Sequence, residues 1–266
     1  MSSQMAVAAA LPELAPMVKR YAFYRESSPE PVRRVEVPVA SVALIFTFGS
    51  PLWIGPSADP ASVRPFTSFV AGVHDRSTMT VHDGHQHGVQ IDLSPTAAYS
   101  LLGVPMDELH NRVVPLADVL GRRAEQLEDQ LVDAVGRGWD AARPALDEAL
   151  PKMLAAGPPA SPRIDWACDQ LQGTGGAVSV SALAEATGWS HRHFIEGFRR
   201  HVGVTPSRFA RLLRFERAAQ QLRAMDPADT FADVAARCGY FDQAHMNREF
   251  REFAGCSPGA FLAAGL

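Results

Sequence analysis

A short pattern occurs twice towards the carboxy terminus of this chain, and that repetition constrains the fold more than any other feature. The first copy runs from Leu183 to Phe209 and the second from Val234 to Phe261. Aligned with one extra residue in the second turn, Ala184 meets Ala235 and Gly188 meets Gly239. Ser190 then meets Asp242, Phe194 meets Met246, Phe198 meets Phe250, Gly203 meets Gly255, Pro206 meets Pro258 and Phe209 meets Phe261. Two copies are too few for a solenoid, so they read as two related small units.

Each copy reads as a helix-turn-helix. Ser181 is a candidate cap for a first short helix carrying Leu183 and Ala184. Gly188 and Gly239 stand where that helix must end, and glycine tolerates the positive φ of a tight turn. Ser190 and Asp242 are good N-caps for the second helix. Phe194 and Phe198, like Met246 and Phe250, lie four apart and share one face, which must pack inward. The opposite face is left with His191, Arg192, Ile195, Glu196 and Arg199 in the first copy, and Gln243, Ala244, Asn247, Arg248 and Arg251 in the second. Arg, Gln and Asn make bidentate contacts to guanine and adenine edges in the major groove. A second helix set in that groove by a Gly-containing turn is the helix-turn-helix mode of reading DNA.

From Pro206 to about Met225 the chain reads as one helix joining the two units, with Phe209, Leu212, Leu213, Ala219 and Leu222 on an apolar face. At ~1.5 Å per residue, about 19 residues span roughly 28 Å. Successive major grooves on one side of a duplex are ~34 Å apart. A stiff helix of this length suits two recognition helices set over adjacent grooves of one DNA molecule.

The stretch resembles the AraC/XylS family of bacterial transcription regulators. The resemblance rests on Leu183-Ala184, Gly188-Trp189-Ser190, Phe194, Phe198, Gly203-Val204-Thr205-Pro206 and Leu213-Arg214-Phe215-Glu216-Arg217-Ala218, then on Val234-Ala235, Cys238-Gly239-Tyr240, Phe250, Ser257-Pro258 and Phe261. It implies an all-α, bipartite DNA-binding domain of about seven helices. One departure is Glu196, where many members carry Arg or Gln. An acid accepts from cytosine but repels phosphate, so the first recognition helix is expected to read few bases or to demand a particular one.

The net charge of −4 conflicts with DNA binding until it is divided. From Arg163 onward there are 12 Arg against 11 acidic residues, and before it 13 Lys and Arg against 18. Between Arg163 and Met225 the balance is nine Arg against five acids. Basic charge therefore concentrates on the first unit and the joining helix, which suits modest, salt-sensitive phosphate binding. No run of about 18 apolar residues predicts a membrane span. The amino terminus lacks the basic start and apolar core of a signal peptide, so a cytoplasmic protein is expected. Cys168, Cys238 and Cys256 are widely spaced without a CxxC pair and read as reduced, buried thiols.

Residues 1 to about 120 read as mostly β, with short Val-, Ile- and Phe-rich runs broken by Pro and Gly and turns at Asp75-Arg76 and Asp83-Gly84. Such punctuation suggests a barrel or sandwich. Pro95 to Leu102 and Met106 to Asn111 read as short helices, and Leu116 to Leu154 as helical, with Pro144 and Pro151 marking helix starts or breaks. The Pro-rich stretch 155–162 reads as a linker. The phrases Leu44 to Gly49, Gly88 to Pro95 and Leu101 to Pro105 are similar to the N-terminal domain of a poorly characterised AraC-type subgroup, which implies a small β-barrel followed by helices.

His74, His82, His85 and His87 crowd one segment, and His85-x-His87 places two imidazoles on one face of a strand, as cupin metal sites do. A metal site needs a third well-placed ligand. His74, His82 and Asp92 are available, but Ile91 stands where a glutamate is expected four residues after His87. No metal is therefore assigned; a metal-dependent cupin-like enzyme or metal sensor is the alternative reading. Phe46, Phe48, Trp53, Phe66 and Phe69 are candidates for the barrel interior and read as filled core, so no effector contact is named.

The expected protein is an α+β, two-domain regulator that reads a DNA sequence and is not an enzyme. Residues 1–154 form a β-rich sensing or dimerising domain with a helical tail. Residues 163–266 form the DNA-binding domain, with helix-turn-helix units at about 181–202 and 230–254. His191, Arg192 and Glu196 are expected to read bases in the first unit, and Gln243, Asn247 and Arg248 in the second. Arg199, Arg200 and Arg251 are expected at phosphates. Double-stranded DNA, RNA polymerase, a small-molecule effector and a second copy of the chain are the expected partners, with no cofactor.

Overall fold

A computed structural model describes residues 2–226 and 228–266. The amino-terminal half is built from ten strands: β1 (Ser2–Ala8), β2 (Val18–Ser27), β3 (Val32–Glu36), β4 (Val42–Thr47), β5 (Leu52–Pro56), β6 (Arg64–Phe66), β7 (Ser68–Ala71), β8 (Thr78–His82), β9 (His85–Leu93) and β10 (Val113–Pro115). They form a six-stranded antiparallel sheet in the order β1-β2-β9-β4-β7-β10 and a four-stranded one in the order β3-β8-β5-β6. The sheets share no strand and face each other. The β-rich part is thus two facing sheets rather than a closed barrel.

Strand alternation decides what lies between the sheets. β2 sends Tyr21 and Phe23 to one face; β4 sends Val42, Leu44 and Phe46, and β9 sends Val89, Ile91 and Leu93, to the same face. That apolar face is covered by helices. The other face presents Arg20, Tyr24, Glu26, Gln86 and Gln90 to a cavity of about 520 Å³ between the sheets. The expected aromatic interior is therefore corrected. Phe46 is buried against helices, Trp53 is 44% exposed, and of the five aromatic candidates only Phe69 lines the cavity.

The covering helices are α1 (Pro95–Leu102), α2 (Leu116–Leu120), α3 (Arg122–Gly136) and α4 (Trp139–Ala155). Ser94 caps α1, its Oγ accepting from Ala97 N at 3.3 Å. The predicted helix at Met106 to Asn111 is only a 3-10 turn at Met106–Glu108. Pro144 and Pro151 do not break α4; both sit inside it on its exposed face. Proline inside a helix costs about 3 kcal/mol, and the buried stripe Ala142, Leu146, Leu150 and Met153 opposes that cost by packing inward. Tyr21 Oη donates to Asp147 Oδ1 at 2.9 Å and Phe23 packs on Trp139 at 5.6 Å, fixing α4 to the sheet.

Seven helices follow: α5 (Pro162–Gly173), α6 (Val180–Thr187), α7 (His191–Val202), α8 (Pro206–Arg223), α9 (Phe231–Arg237), α10 (Gln243–Phe253) and α11 (Pro258–Ala263). The buried cluster runs without a gap from the strands through α4 and α5 into these helices. Cys168 and Cys238 are buried and Cys256 is half-buried, all as free thiols, and burial pushes the Cys168 thiol up.

Candidate nucleic-acid interface

The turn chemistry of the two repeats is realised nearly residue for residue. Gly188 and Gly239 adopt φ of 68° and 77°. Ser190 Oγ accepts from His193 N at 3.3 Å, and Asp242 Oδ1 accepts from His245 N at 2.6 Å. The cap of α6 is Ser179 rather than Ser181: its Oγ accepts from Ala182 N at 3.1 Å. His193 lies edge-on to Trp189 at 4.4 Å and His245 edge-on to Tyr240 at 5.2 Å, so the paired histidines pack the two turns alike.

The second helix of each unit is fixed to α8 by aromatic packing. Phe194, Phe198, Met246 and Phe250 are fully buried. Phe198 meets Phe209 at 5.8 Å, and Phe215 meets Phe250 at 4.8 Å and Phe253 at 5.2 Å. Phe209 and Phe215 both belong to α8, whose 18 residues extend roughly 27 Å at ~1.5 Å each. Phe215 was not among the residues expected on the apolar face of α8, although it is completely buried there; Leu213, which was, is only half-buried.

A buried acid adds a polar lock that sequence periodicity does not show. Glu249 on α10 is 2% exposed and accepts from Arg211 Nε at 2.7 Å and Arg214 Nη2 at 3.1 Å, both on α8. Glu252 accepts from Arg208 and Arg211. A buried carboxylate is tolerated only when paired, so these guanidiniums fix the second unit to the joining helix and are not free for phosphate.

Among the expected base readers, His191, Arg192, Glu196, Gln243 and Arg248 are exposed and Asn247 is half-buried. Arg192 Nε donates to Glu196 Oε1 at 2.8 Å. The two expected readers thus form an exposed ion pair within one turn of α7. Arg248 and Arg251 make no ion pair among the described residues. Arg199, Arg200 and Arg251 are all exposed, and Arg199 Nη2 lies 3.6 Å from Asp107 Oδ2 on the 3-10 turn.

The β-rich half therefore touches the first unit directly. Pro105, Asp107 and Glu108 face His193, Glu196, Gly197 and Arg200 across a shallow groove. Tyr99 of α1 lies 4.3 Å from the His201 ring. Gly203, with φ of 98°, leaves only 3.0 Å between a would-be Cβ and the Met106 carbonyl oxygen. Arg208 Nε donates to Asp75 Oδ2 at 2.8 Å, and Asp75 is in turn held by Asn111 Nδ2 at 2.8 Å and lies 3.2 Å from His110 Nε2. Ala40 N donates to Glu216 Oε2 at 3.3 Å.

The crowded histidines do not converge. His85 and His87 lie on the face of β9 away from the cavity, while His74 and His82 line it. Among the described residues no three His, Cys, Asp or Glu side chains form a metal-ligating group. In the cavity, Gly84 N donates to His82 Nδ1 at 3.2 Å. His82 Nε2 lies 3.3 Å from Glu26 Oε2 but lacks the alignment of a hydrogen bond; Gln86 Oε1 also has no partner. Arg34 donates to Glu26, and that contact holds the Glu26 carboxyl below its ordinary range against the effect of burial. Among the described residues no helix is long and apolar enough to cross a membrane.

A family model described as a helix-turn-helix domain matches residues 183–264, and a Domain of unknown function (DUF6597) matches residues 7–115. The chain is similar to an HTH-type transcriptional regulator of Mycobacterium tuberculosis, 37% identical over 90 residues, 34% of each chain. It is also similar to the HTH-type transcriptional activator RhaS of Escherichia fergusonii, 35% identical over 82 residues, 31% of this chain and 29% of that one. The match thus spans about a third of the length of these curated relatives. A crystal structure of apo ToxT from Vibrio cholerae aligns over 99% of this chain and 98% of that one, with 9% identity and a TM-score of 0.52, a likeness of fold alone. The segment matched by the helix-turn-helix model runs through both turns and the helix between them, and that carboxy-terminal segment is an AraC-type helix-turn-helix domain, similar over its length to these transcription regulators.

Proposed function

We propose that this chain is a sequence-specific DNA-binding transcription regulator acting in the cytoplasm, with residues 163–266 as its reader and residues 1–154 as its sensing or dimerising part. The observation that carries the reading is the pair of capped helices, α7 and α10, packed through the equivalent Phe198 and Phe250 against one 18-residue helix. His191, Arg192 and Glu196 read bases from α7, and Gln243, Asn247 and Arg248 from α10, with Arg199, Arg200 and Arg251 at phosphates. RNA polymerase and a second copy of the chain are the further partners.

The cavity between the sheets supports control by a small molecule. Its lining mixes polar side chains such as Arg20, Tyr24 and Gln90 with apolar ones such as Ile45, Ile54 and Phe69, which suits a small molecule carrying both kinds of surface. His74 and Arg76 line the same cavity, and Asp75 between them grips Arg208 of the joining helix. A ligand that moves this loop alters the contact to the reader.

The test is retention of duplexes from a random-sequence pool by the full-length chain, followed by sequencing. Enrichment of a defined site, with affinity falling steeply as salt rises, supports the reading. Retention without sequence preference at any salt concentration contradicts it.

A further inference from the structure

One aromatic side chain of the reader stands almost wholly in solvent. Phe241 is 93% exposed. Its neighbour Tyr240 is buried, with Arg214 stacked 5.2 Å from its ring, so the turn is already packed without Phe241. Phe241 is also the residue by which the second turn exceeds the first: Gly188-Trp189-Ser190 matches Gly239-Tyr240 and then Asp242. The first unit has no counterpart to it.

Its position is set by the backbone. Phe241 immediately precedes Asp242, the N-cap of α10, and its N–H points to His245 Nδ1 at 3.4 Å. The exposed Gln243 and Ala244 follow directly, so an aromatic ring, an amide and a methyl crowd the start of the helix. Helix-turn-helix proteins bring the first residues of the recognition helix to base edges. Among base-edge groups in the major groove the thymine 5-methyl is the apolar one, and Phe and Ala are side chains that contact it.

We propose that Phe241 is a specificity-determining residue that reads a thymine 5-methyl group in the second half of the bound site. The inference rests on the DNA-reading function proposed above. The inserted residue gives the second unit an apolar contact that the first lacks, so the two halves of the site differ in their demand for thymine.

The test uses the full-length chain and the duplex it enriches, with each thymine replaced singly by deoxyuridine, which lacks only the methyl. Wild type should lose about fourfold in affinity at one thymine, the effect of one buried methyl. Phe241→Ala should bind more weakly and lose that sensitivity, and Phe241→Leu should restore part of it. An unchanged thermal midpoint for both variants checks the fold. If Phe241→Ala keeps wild-type affinity, or weakens while keeping the deoxyuridine effect, the inference is overturned while DNA reading stands. If wild type enriches no DNA, the function proposed above fails, and this inference with it.

Discussion

Arg208 Nε lies 2.8 Å from Asp75 Oδ2, across 133 residues of sequence, and joins the helix between the two DNA units to a loop of the β-rich half. Arg208 also stacks 4.6 Å from the Phe253 ring and reaches Glu252, both on α10. One guanidinium therefore senses the loop at Asp75, the joining helix and the second recognition helix together. Asp75→Asn should weaken docking of the two halves, lowering stability by about 1.5–3 kcal/mol, the scale of a charged hydrogen bond. Chemical denaturation of the full-length variant measures it; an unchanged midpoint means the pair contributes nothing.

The same carboxylate predicts a pH window. Burial pushes the Asp75 pKa up, but hydrogen bonds from His110 and Asn111 and the Arg208 charge outweigh it and hold the group well below the ordinary carboxylate range. A depressed folded-state pKa contributes stability above the unfolded value, near ~3.9, and that contribution is lost as pH falls towards the folded value. The difference in stability between wild type and Asp75→Asn should not fall between about pH 7 and about pH 5, and should shrink below about pH 4. Paired denaturation curves check this; a difference that fades already at pH 6 contradicts it.

Gly203→Ala combines two penalties. A left-handed conformation costs a non-glycine residue roughly 1–2 kcal/mol, and the new methyl would press on the Met106 carbonyl oxygen at 3.0 Å. The variant should unfold at lower temperature than the corresponding Gly255→Ala, whose would-be Cβ meets only Ser77 Oγ at 3.7 Å. Equal midpoints would show that the contact with the 3-10 turn carries no energy.

Glu249→Ala removes a buried partner from Arg211 and Arg214. Arg211 keeps Glu252, but Arg214 loses its carboxylate partner, so this variant should destabilise the second unit more than Glu252→Ala at the more exposed position. Amide hydrogen exchange across α9 and α10 should rise in Glu249→Ala, while α6 and α7 stay protected. Uniform loss of protection across both units would contradict a local lock.

The helix-turn-helix units were legible because their signals are local. Gly188, Ser190, Gly239 and Asp242 each declare a turn or cap within a few residues, and Phe194, Phe198, Met246 and Phe250 declare a face. What lay beyond local reach was partnership. Nothing near Glu249 in the sequence says that Arg211 and Arg214 will bury it, and nothing near Asp75 names Arg208. The strands were legible as strands, but period-two alternation does not say which face meets helices. Phe46 went to the helical side, leaving a cavity lined by both polar and apolar side chains where a filled aromatic interior was expected. Pro144 and Pro151 misled because packing of Leu146 and Leu150 overrides the local break.

The most direct test of the central claim is the base preference of the full-length chain at each position of its selected site, compared with Arg192→Ala and Arg248→Ala. Two boxes about one helical turn apart are expected. Arg248→Ala should cost about 1–3 kcal/mol and relax preference at one position of one box, while Arg192→Ala relaxes the other. A single box, or both variants weakening all sequences uniformly, would contradict two recognition helices reading adjacent grooves.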